Sequence, residues 1–137
     1  MAAGPVTQDA YGHLQNLAGP ATLTAAANGV TTAGTIAVAT AGAGTGATVT
    51  VPAGSAPNDL RGVFTVTGAG TPAAGIIAHV SFAQPYANIP AVQVNVANAT
   101  PANVAASAVN VTVNGFDVYA GAAVSVGANT VSYVVIP

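Results

Sequence analysis

Few side chains in this sequence can act as an acid, a base or a nucleophile. They are the two histidines, the three aspartates and the five serines: His13, His79, Asp9, Asp59, Asp117, Ser55, Ser81, Ser107, Ser125 and Ser132. A hydrolytic triad needs a nucleophile, a base within hydrogen-bond reach and an orienting carboxylate, and no serine lies in a Gly-x-Ser-x-Gly turn. We therefore predict that the protein is not an enzyme and has no catalytic, cofactor-binding or metal-binding residue.

His79 lies in a predicted strand, where simple alternation places it on the same face as Ile77 and Ser81 and opposite Ile76 and Ala78. We interpret it as a half-buried histidine that is hydrogen-bonded to a neighbouring side chain. The alternative is that three copies of His79 around a threefold axis bind a metal or form a pH-sensitive contact. His79 is therefore a candidate residue of a trimer interface.

Asp59 and Arg61 lie two residues apart in a loop that leads into a strand. We expect Asp59 to accept hydrogen bonds from backbone amides. Arg61, the only Arg or Lys in the chain, is expected to reach a carboxylate or carbonyl of the same chain or of a neighbouring one. Arg61 is the second candidate for the trimer interface.

A carbohydrate groove is another function that the residue types allow. Tyrosine rings stack on sugars and amide groups bond to their hydroxyls, and the candidates are Tyr11, Tyr86, Tyr119, Tyr133, Gln93 and Asn95. Their scatter over the chain favours packing roles, and glycan binding stays as the minority interpretation.

The composition points to self-association. Only 3% of the residues are charged, whereas an ordinary soluble domain has about 25%, so the surface must be solvated by hydroxyls and amides or covered by copies of the chain. A net charge of -2 with one Arg argues against binding nucleic acid. No apolar run reaches 18 residues and no secretion signal is visible, so we expect no membrane span and a protein that stays in the cytoplasm or leaves it inside an assembly.

The chain divides by pattern into an arm and a β domain. Residues 1–34 have no sustained period, and their larger apolar side chains include Tyr11, Leu14, Leu17 and Leu23. The first three are at helical spacing, which allows at most a turn or two. Such an arm is too irregular to fold alone, so we predict that it packs against a neighbouring chain or subunit. From residue 35 to 137, short β-branched runs predict an all-β domain with eight strands, near 35–40, 47–52, 62–68, 75–83, 91–97, 108–113, 116–120 and 130–136.

One hairpin and the last strand give finer predictions. Asn114-Gly115 predicts a two-residue turn that pairs Val113 with Phe116, Val111 with Val118 and Val109 with Ala120 on one face. The last strand is apolar on both faces after Ser132, which predicts cover on two sides. A subunit interface would supply the second cover, and its candidates here are Tyr133 and Val135.

Residues 35–136 resemble the C-terminal β domains of bacteriophage virion proteins, namely head and tail fibres and collagen-like phage proteins. The segments that carry the resemblance are AGAGTGATVTV at 41–51, GVFTVTG at 62–68, VSFAQPY at 80–86 and ANTVSYVVI at 128–136. The resemblance implies an eight-stranded, jelly-roll-like sandwich that is trimeric and lies on the outside of a virion. The chain lacks the long shaft or collagen-like repeat of the fibre members.

A β domain with only a short arm looks more like a capsid decoration protein than a fibre tip. Under this interpretation the partners are the chain itself, as a homotrimer, and the major capsid protein, which the arm of residues 1–34 contacts through Tyr11, Leu14, Leu17 and Leu23. The protein would be made in the host cytoplasm and would stabilise the head from its outer surface. The alternative is a tail-fibre or tail-tip adhesin domain that binds a host-surface glycan.

Overall fold

A computed structural model of the chain describes residues 6–8, 14–16, 34–53, 57, 59–97 and 104–137. The chain forms two compact units, residues 1–31 and 32–137, and each is described by itself. Within the described ranges, no helix has the length and apolar character that crossing a membrane requires.

The first unit contains a small antiparallel ladder. Strands β1 (Val6–Gln8) and β2 (Leu14–Asn16) pair so that Val6 lies opposite Asn16. The helical spacing noted for this segment is therefore misleading at Leu14, which begins a strand. The other three predicted contact residues of the arm lie outside the described residues: Tyr11, Leu17 and Leu23.

The second unit is an all-β sandwich, as predicted. Its elements are β3 (Ile36–Val38), α1 (Thr40–Ala43), β4 (Thr48–Thr50), β5 (Arg61–Gly68), β6 (Gly75–Ser81), β7 (Ala91–Ala97), β8 (Ala106–Thr112), β9 (Gly115–Ala120) and β10 (Gly127–Ile136). All eight predicted strands are present, with ends within three residues of the prediction. The four-residue helix α1 was not predicted.

The strands form two antiparallel four-stranded sheets. One has the order β4-β5-β10-β7 and is called the β5/β10 sheet; the other has the order β3-β6-β9-β8 and is called the β6/β9 sheet. Their inward faces share one hydrophobic core, in which Phe64 and Val131 of the first sheet meet Phe116 and Val118 of the second. The Phe116 and Tyr133 rings cross this interface in edge-to-face contact, with centroids 5.3 Å apart.

A bulge in β6 changes the faces that simple alternation predicts. Ile76 pairs with Tyr119 and Ala78 pairs with Val118, so Ile77 is an extra residue without a partner in the register. Ile77 and Ala78 are both fully buried. The prediction that Ile77 shares the face of His79 is therefore wrong.

A second irregularity shifts the predicted β8–β9 hairpin. Thr112 lies opposite Gly115, Val109 opposite Asp117 and Ala108 opposite Val118, so the predicted pairings of Val109 with Ala120 and of Val111 with Val118 are wrong. The two turn residues are Val113 and Asn114, so the predicted turn at Asn114-Gly115 and its closing pair, Val113 with Phe116, are wrong as well. The register shifts by one residue between Val109 and Thr112, at Asn110, which has a φ of 50°. The predicted inward face of β9 is confirmed, since its residues Phe116, Val118 and Ala120 are buried.

Candidate functional site

A polar cluster lies on the outer face of the β6/β9 sheet. His79 on β6 is directly opposite Asp117 on β9, and Nδ1 of His79 lies 2.5 Å from Oδ1 of Asp117. Asn110 on β8 donates from Nδ2 to Oδ2 of the same carboxylate at 2.7 Å. Both oxygens of Asp117 therefore have a partner, and the predicted hydrogen bond of His79 to a neighbour is confirmed.

The electrostatics of this cluster favour an ionised Asp117. Partial burial raises the pKa of its carboxyl, but the hydrogen bonds from Asn110 and His79, together with the charge of His79, outweigh that effect and lower the pKa. Since a carboxylate faces Nδ1 of His79, this nitrogen carries the hydrogen and Nε2 is the acceptor in the neutral ring. The His79 side chain is 50% exposed, so the ring remains accessible from solvent.

Backbone irregularities flank the cluster on both sides. The β6 bulge ends two residues before His79, and the β8 irregularity contains Asn110 itself. Asn110 is also the only non-glycine residue with a positive φ in the part of the chain that the structure describes. Bulges re-aim side chains and are frequent beside active sites, and left-handed conformations at ordinary residues concentrate at functional positions.

A groove of about 280 Å³ opens beside the cluster. Its polar lining includes Ser81, Thr112 and Asn114 in addition to the three residues of the cluster. Gly115 lies opposite Ser81, and a Cβ atom at Gly115 would lie 2.2 Å from the carbonyl oxygen of Val80. A side chain at Gly115 would meet the β6 backbone, so the glycine allows β6 and β9 to approach closely at this end of the groove.

The loop at Asp59 is structural, as predicted. The Asp59 carboxylate accepts the backbone N–H groups of Ala83 at 2.8 Å and of Gln84 at 3.1 Å. Tyr86 donates its hydroxyl to the Asp59 carbonyl oxygen at 2.6 Å. Asp59 is buried, and its oxygens fix the loop that follows β6.

The four trimer-interface candidates lie in different environments. His79 and Arg61 are on outward faces of the two sheets, whereas Tyr133 and Val135 are buried in the core of their own chain. The exposed side chains at this end of β10 are those of Val134 and Ile136. Any contact of this end of β10 with a second subunit would therefore involve these two residues, and the interface itself stays a prediction.

The structure separates the residues predicted for a carbohydrate groove. Gln93 and Asn95 lie on the outer face of the β5/β10 sheet, beside a shallow depression of about 200 Å³, and Tyr119 lies on the opposite sheet. Tyr86 packs edge-to-face on Phe82, with ring centroids 4.9 Å apart, and Tyr133 is in the core. Tyr11 lies outside the described residues.

Sequence reasoning identified His79 and Asp117 as candidates but missed Asn110. The available signal was an asparagine between valines next to a hairpin, since asparagine tolerates the left-handed backbone that a bulge requires. No cluster of three or more His, Asp, Glu or Cys side chains suited to a metal ion occurs among the described residues. Comparisons of the chain with protein-family models, curated proteins and solved structures find no match.

Proposed function

We propose that this chain is a structural, non-catalytic protein of a bacteriophage virion: a homotrimeric capsid decoration protein that binds the outer capsid surface and stabilises the head. The jelly-roll-like topology that the sequence predicts is part of this proposal, as are the trimer and the virion location. The observation that supports it best is the outer face of the β5/β10 sheet.

This outer face carries one charge in the described strands, at Arg61, which lies directly opposite Val134 in the β5–β10 register. Val63, Val134 and Ile136 are 38%, 50% and 53% exposed. Paired threonines from β4, β5 and β10 extend the face, with Thr48 opposite Thr67 and Thr50 opposite Thr65, which is itself opposite Thr130.

Such a face is suited to a second copy of the chain. Covering a half-exposed valine or isoleucine on association stabilises the complex by on the order of 1 kcal/mol per side chain. The threonine hydroxyls can bond across the interface, and Arg61 is the only charge of the described face that association would remove from water. Stabilisation of the head then follows from mass action, because a protein that binds only the assembled lattice favours that lattice in proportion to its occupancy.

Paired substitutions on β10 test the self-association. The double variant Val134→Thr/Ile136→Thr keeps β-branched side chains and makes the face more polar, so light scattering should show a shift towards the monomer. Val126, which is 69% exposed and precedes β10, gives the control Val126→Thr, and its mass should equal that of the wild type. A double variant with unchanged mass would refute this face as the interface.

A second candidate function is supported by the groove on the β6/β9 sheet. It is the tail-fibre or tail-tip adhesin that binds a host-surface glycan. The two candidates differ in copy number, since a decoration protein is present in hundreds of copies per particle and a tail adhesin in only a handful. Quantitative gels of virions that contain the chain distinguish them.

A further inference from the structure

We propose that the groove beside His79, Asp117 and Asn110 is a binding site for one ring of a neutral saccharide. The inference rests on the second candidate function, the glycan-binding adhesin, and assigns its ligand class and its residues. This site is on the sheet opposite the one that carries Gln93 and Asn95, and of the residues that the sequence suggests for a carbohydrate groove it uses only Tyr119.

The hydrogen-bonding groups of the site match sugar hydroxyls. In neutral His79 the hydrogen bond to Asp117 leaves Nε2 as an acceptor, which can receive a hydroxyl hydrogen. The exposed side chains of Ser81 and Asn114 line the same groove and supply donors and acceptors. Each sugar hydroxyl both donates and accepts, so a pair of adjacent hydroxyls can use groups of both kinds.

The His79 ring is held in position before a ligand arrives. Asp117 is held by His79 on one strand and by Asn110 on another, and both bonds are shorter than 2.8 Å. A histidine whose ring is oriented by a carboxylate loses little freedom on binding, which favours affinity. The left-handed backbone of Asn110 is a local cost that the bond to Asp117 helps to offset.

An aromatic surface lies next to the groove. Tyr119 is exposed and follows Asp117 by two residues on β9, so it lies on the same outward face, about 7 Å along the strand. The axial C–H groups of a sugar stack on such a ring, and tyrosine combines an apolar body with a polar end. A polar groove flanked by an exposed tyrosine fits a saccharide better than a purely apolar ligand.

Charge selects a neutral sugar over an acidic one or a nucleotide. Asp117 is the only carboxylate in the groove lining and no Arg or Lys is among the lining residues. An anionic ligand would face the ionised Asp117 with only His79 to compensate. A groove of about 280 Å³ lies just below the range of roughly 300–1,000 Å³ for ligand sites, which limits the contact to roughly one ring.

The test is an NMR titration of the ¹⁵N-labelled chain with the methyl glycosides of glucose, galactose, mannose, N-acetylglucosamine and rhamnose. At least one should shift the backbone amide signals of His79, Asp117 and Tyr119. For that sugar, His79→Ala and Tyr119→Ala should each weaken binding at least about fivefold, the loss expected for one hydrogen bond or stacking contact. Gln93→Ala, on the opposite sheet, is the control and should bind as the wild type does.

The titration distinguishes failure of the proposed site from failure of the glycan-binding function. Shifts confined to the Gln93 face, with loss of binding in Gln93→Ala, would overturn the site but keep a glycan-binding protein. No shift with any of the five glycosides would overturn both the site and the adhesin candidate. Melting curves that match the wild type show that each variant is folded, and Tyr119→Phe, which keeps the ring, should retain most of the binding lost in Tyr119→Ala.

Discussion

The ring of Tyr133 lies over Gly62, its partner on the adjacent strand of the β5/β10 sheet. A Cβ atom at Gly62 would lie 2.5 Å from Cε1 of this ring and 2.7 Å from Cβ of Pro57. The glycine thus makes room for the only tyrosine of the described core, which in turn contacts Phe64 and Phe116. The close approach of ring and backbone lets Tyr133 pack with Phe64 and Phe116 in a core whose other residues are mostly Val and Ala.

Gly62→Ala should therefore destabilise the sandwich. The added methyl group forces the Tyr133 ring to move, and overpacking of this kind costs about 1–3 kcal/mol. Gly121→Ala is the control, because its Cβ would lie 3.4 Å from the nearest atom, the Ala105 carbonyl oxygen. Urea unfolding measures both variants, and equal stability of the two would contradict the described contact.

Alkaline pH should weaken the fold through Tyr133. Burial, with smaller effects of Asp59 and Tyr86, raises its pKa from 10.0 to about 12. The pKa of Tyr133 is higher in the folded chain than in the unfolded one, so the neutral hydroxyl contributes to the free energy of unfolding. This contribution is complete below pH 10 and is lost as the pH rises through 12. Since one pKa unit corresponds to about 1.4 kcal/mol, the loss is up to roughly 3 kcal/mol.

Tyr133→Phe removes this titration and is the matched variant. Its free energy of unfolding should decline less than that of the wild type between pH 10 and pH 12. Parallel curves for the two proteins would show that Tyr133 doesn't ionise in the way its burial requires.

Asn129 is a fully buried polar side chain whose replacement should be costly. Its Oδ1 accepts from the backbone N–H and the hydroxyl of Ser125, and its Nδ2 contacts the carbonyl oxygens of Val66, Ser125 and Gly127 at 2.8–3.0 Å. Asn129→Ala leaves these groups unpaired and should lower the free energy of unfolding by about 2–4 kcal/mol. Asn95→Ala, on an exposed face, should change it by less than about 0.5 kcal/mol, and similar losses in both would argue against the buried network.

The free energy of unfolding should decrease at acidic pH because Asp117 becomes protonated. Its pKa is lowered from the ordinary value of 3.8, so its stabilising contribution is present above that value and is lost as pH falls through the lower folded pKa. Asp117→Asn removes the titration. The difference in stability between wild type and variant should shrink between pH 5 and pH 2, and a constant difference would show that the cluster doesn't favour the ionised form.

Alternation and turn residues were sufficient to predict the strands. Runs such as residues 91–97 and 61–68 alternate between core and surface as expected, and the eight strands follow from them. The register was harder, because one extra residue at Ile77 and one at Asn110 each change which side chains share a face. A bulge in an apolar run leaves little trace in the sequence, since both neighbouring residues can be buried.

The same two bulges determine which side chains come together in the candidate site. Sequence reasoning predicted a partner for His79 but could not identify it, because Asp117 lies 38 residues away along the chain and pairs with His79 only through the β6–β9 register. The prediction for Asp59 was simpler, because an aspartate in a loop has nearby backbone amides to accept. Because the last strand is apolar on both faces, the sequence does not show which face is exposed, and it predicts Tyr133 and Val135 as interface residues. In the structure these two are buried, and the exposed residues of the strand end are Val134 and Ile136.

The central claim is that the chain associates with copies of itself, and the mass of the protein in solution tests this claim most directly. Light scattering after size exclusion should give 39.0 kDa, three times the 13.0 kDa of one chain. A single species of 13.0 kDa that persists at high protein concentration would contradict the account, since the exposed face of Val63, Val134 and Ile136 would then have no second copy to cover it.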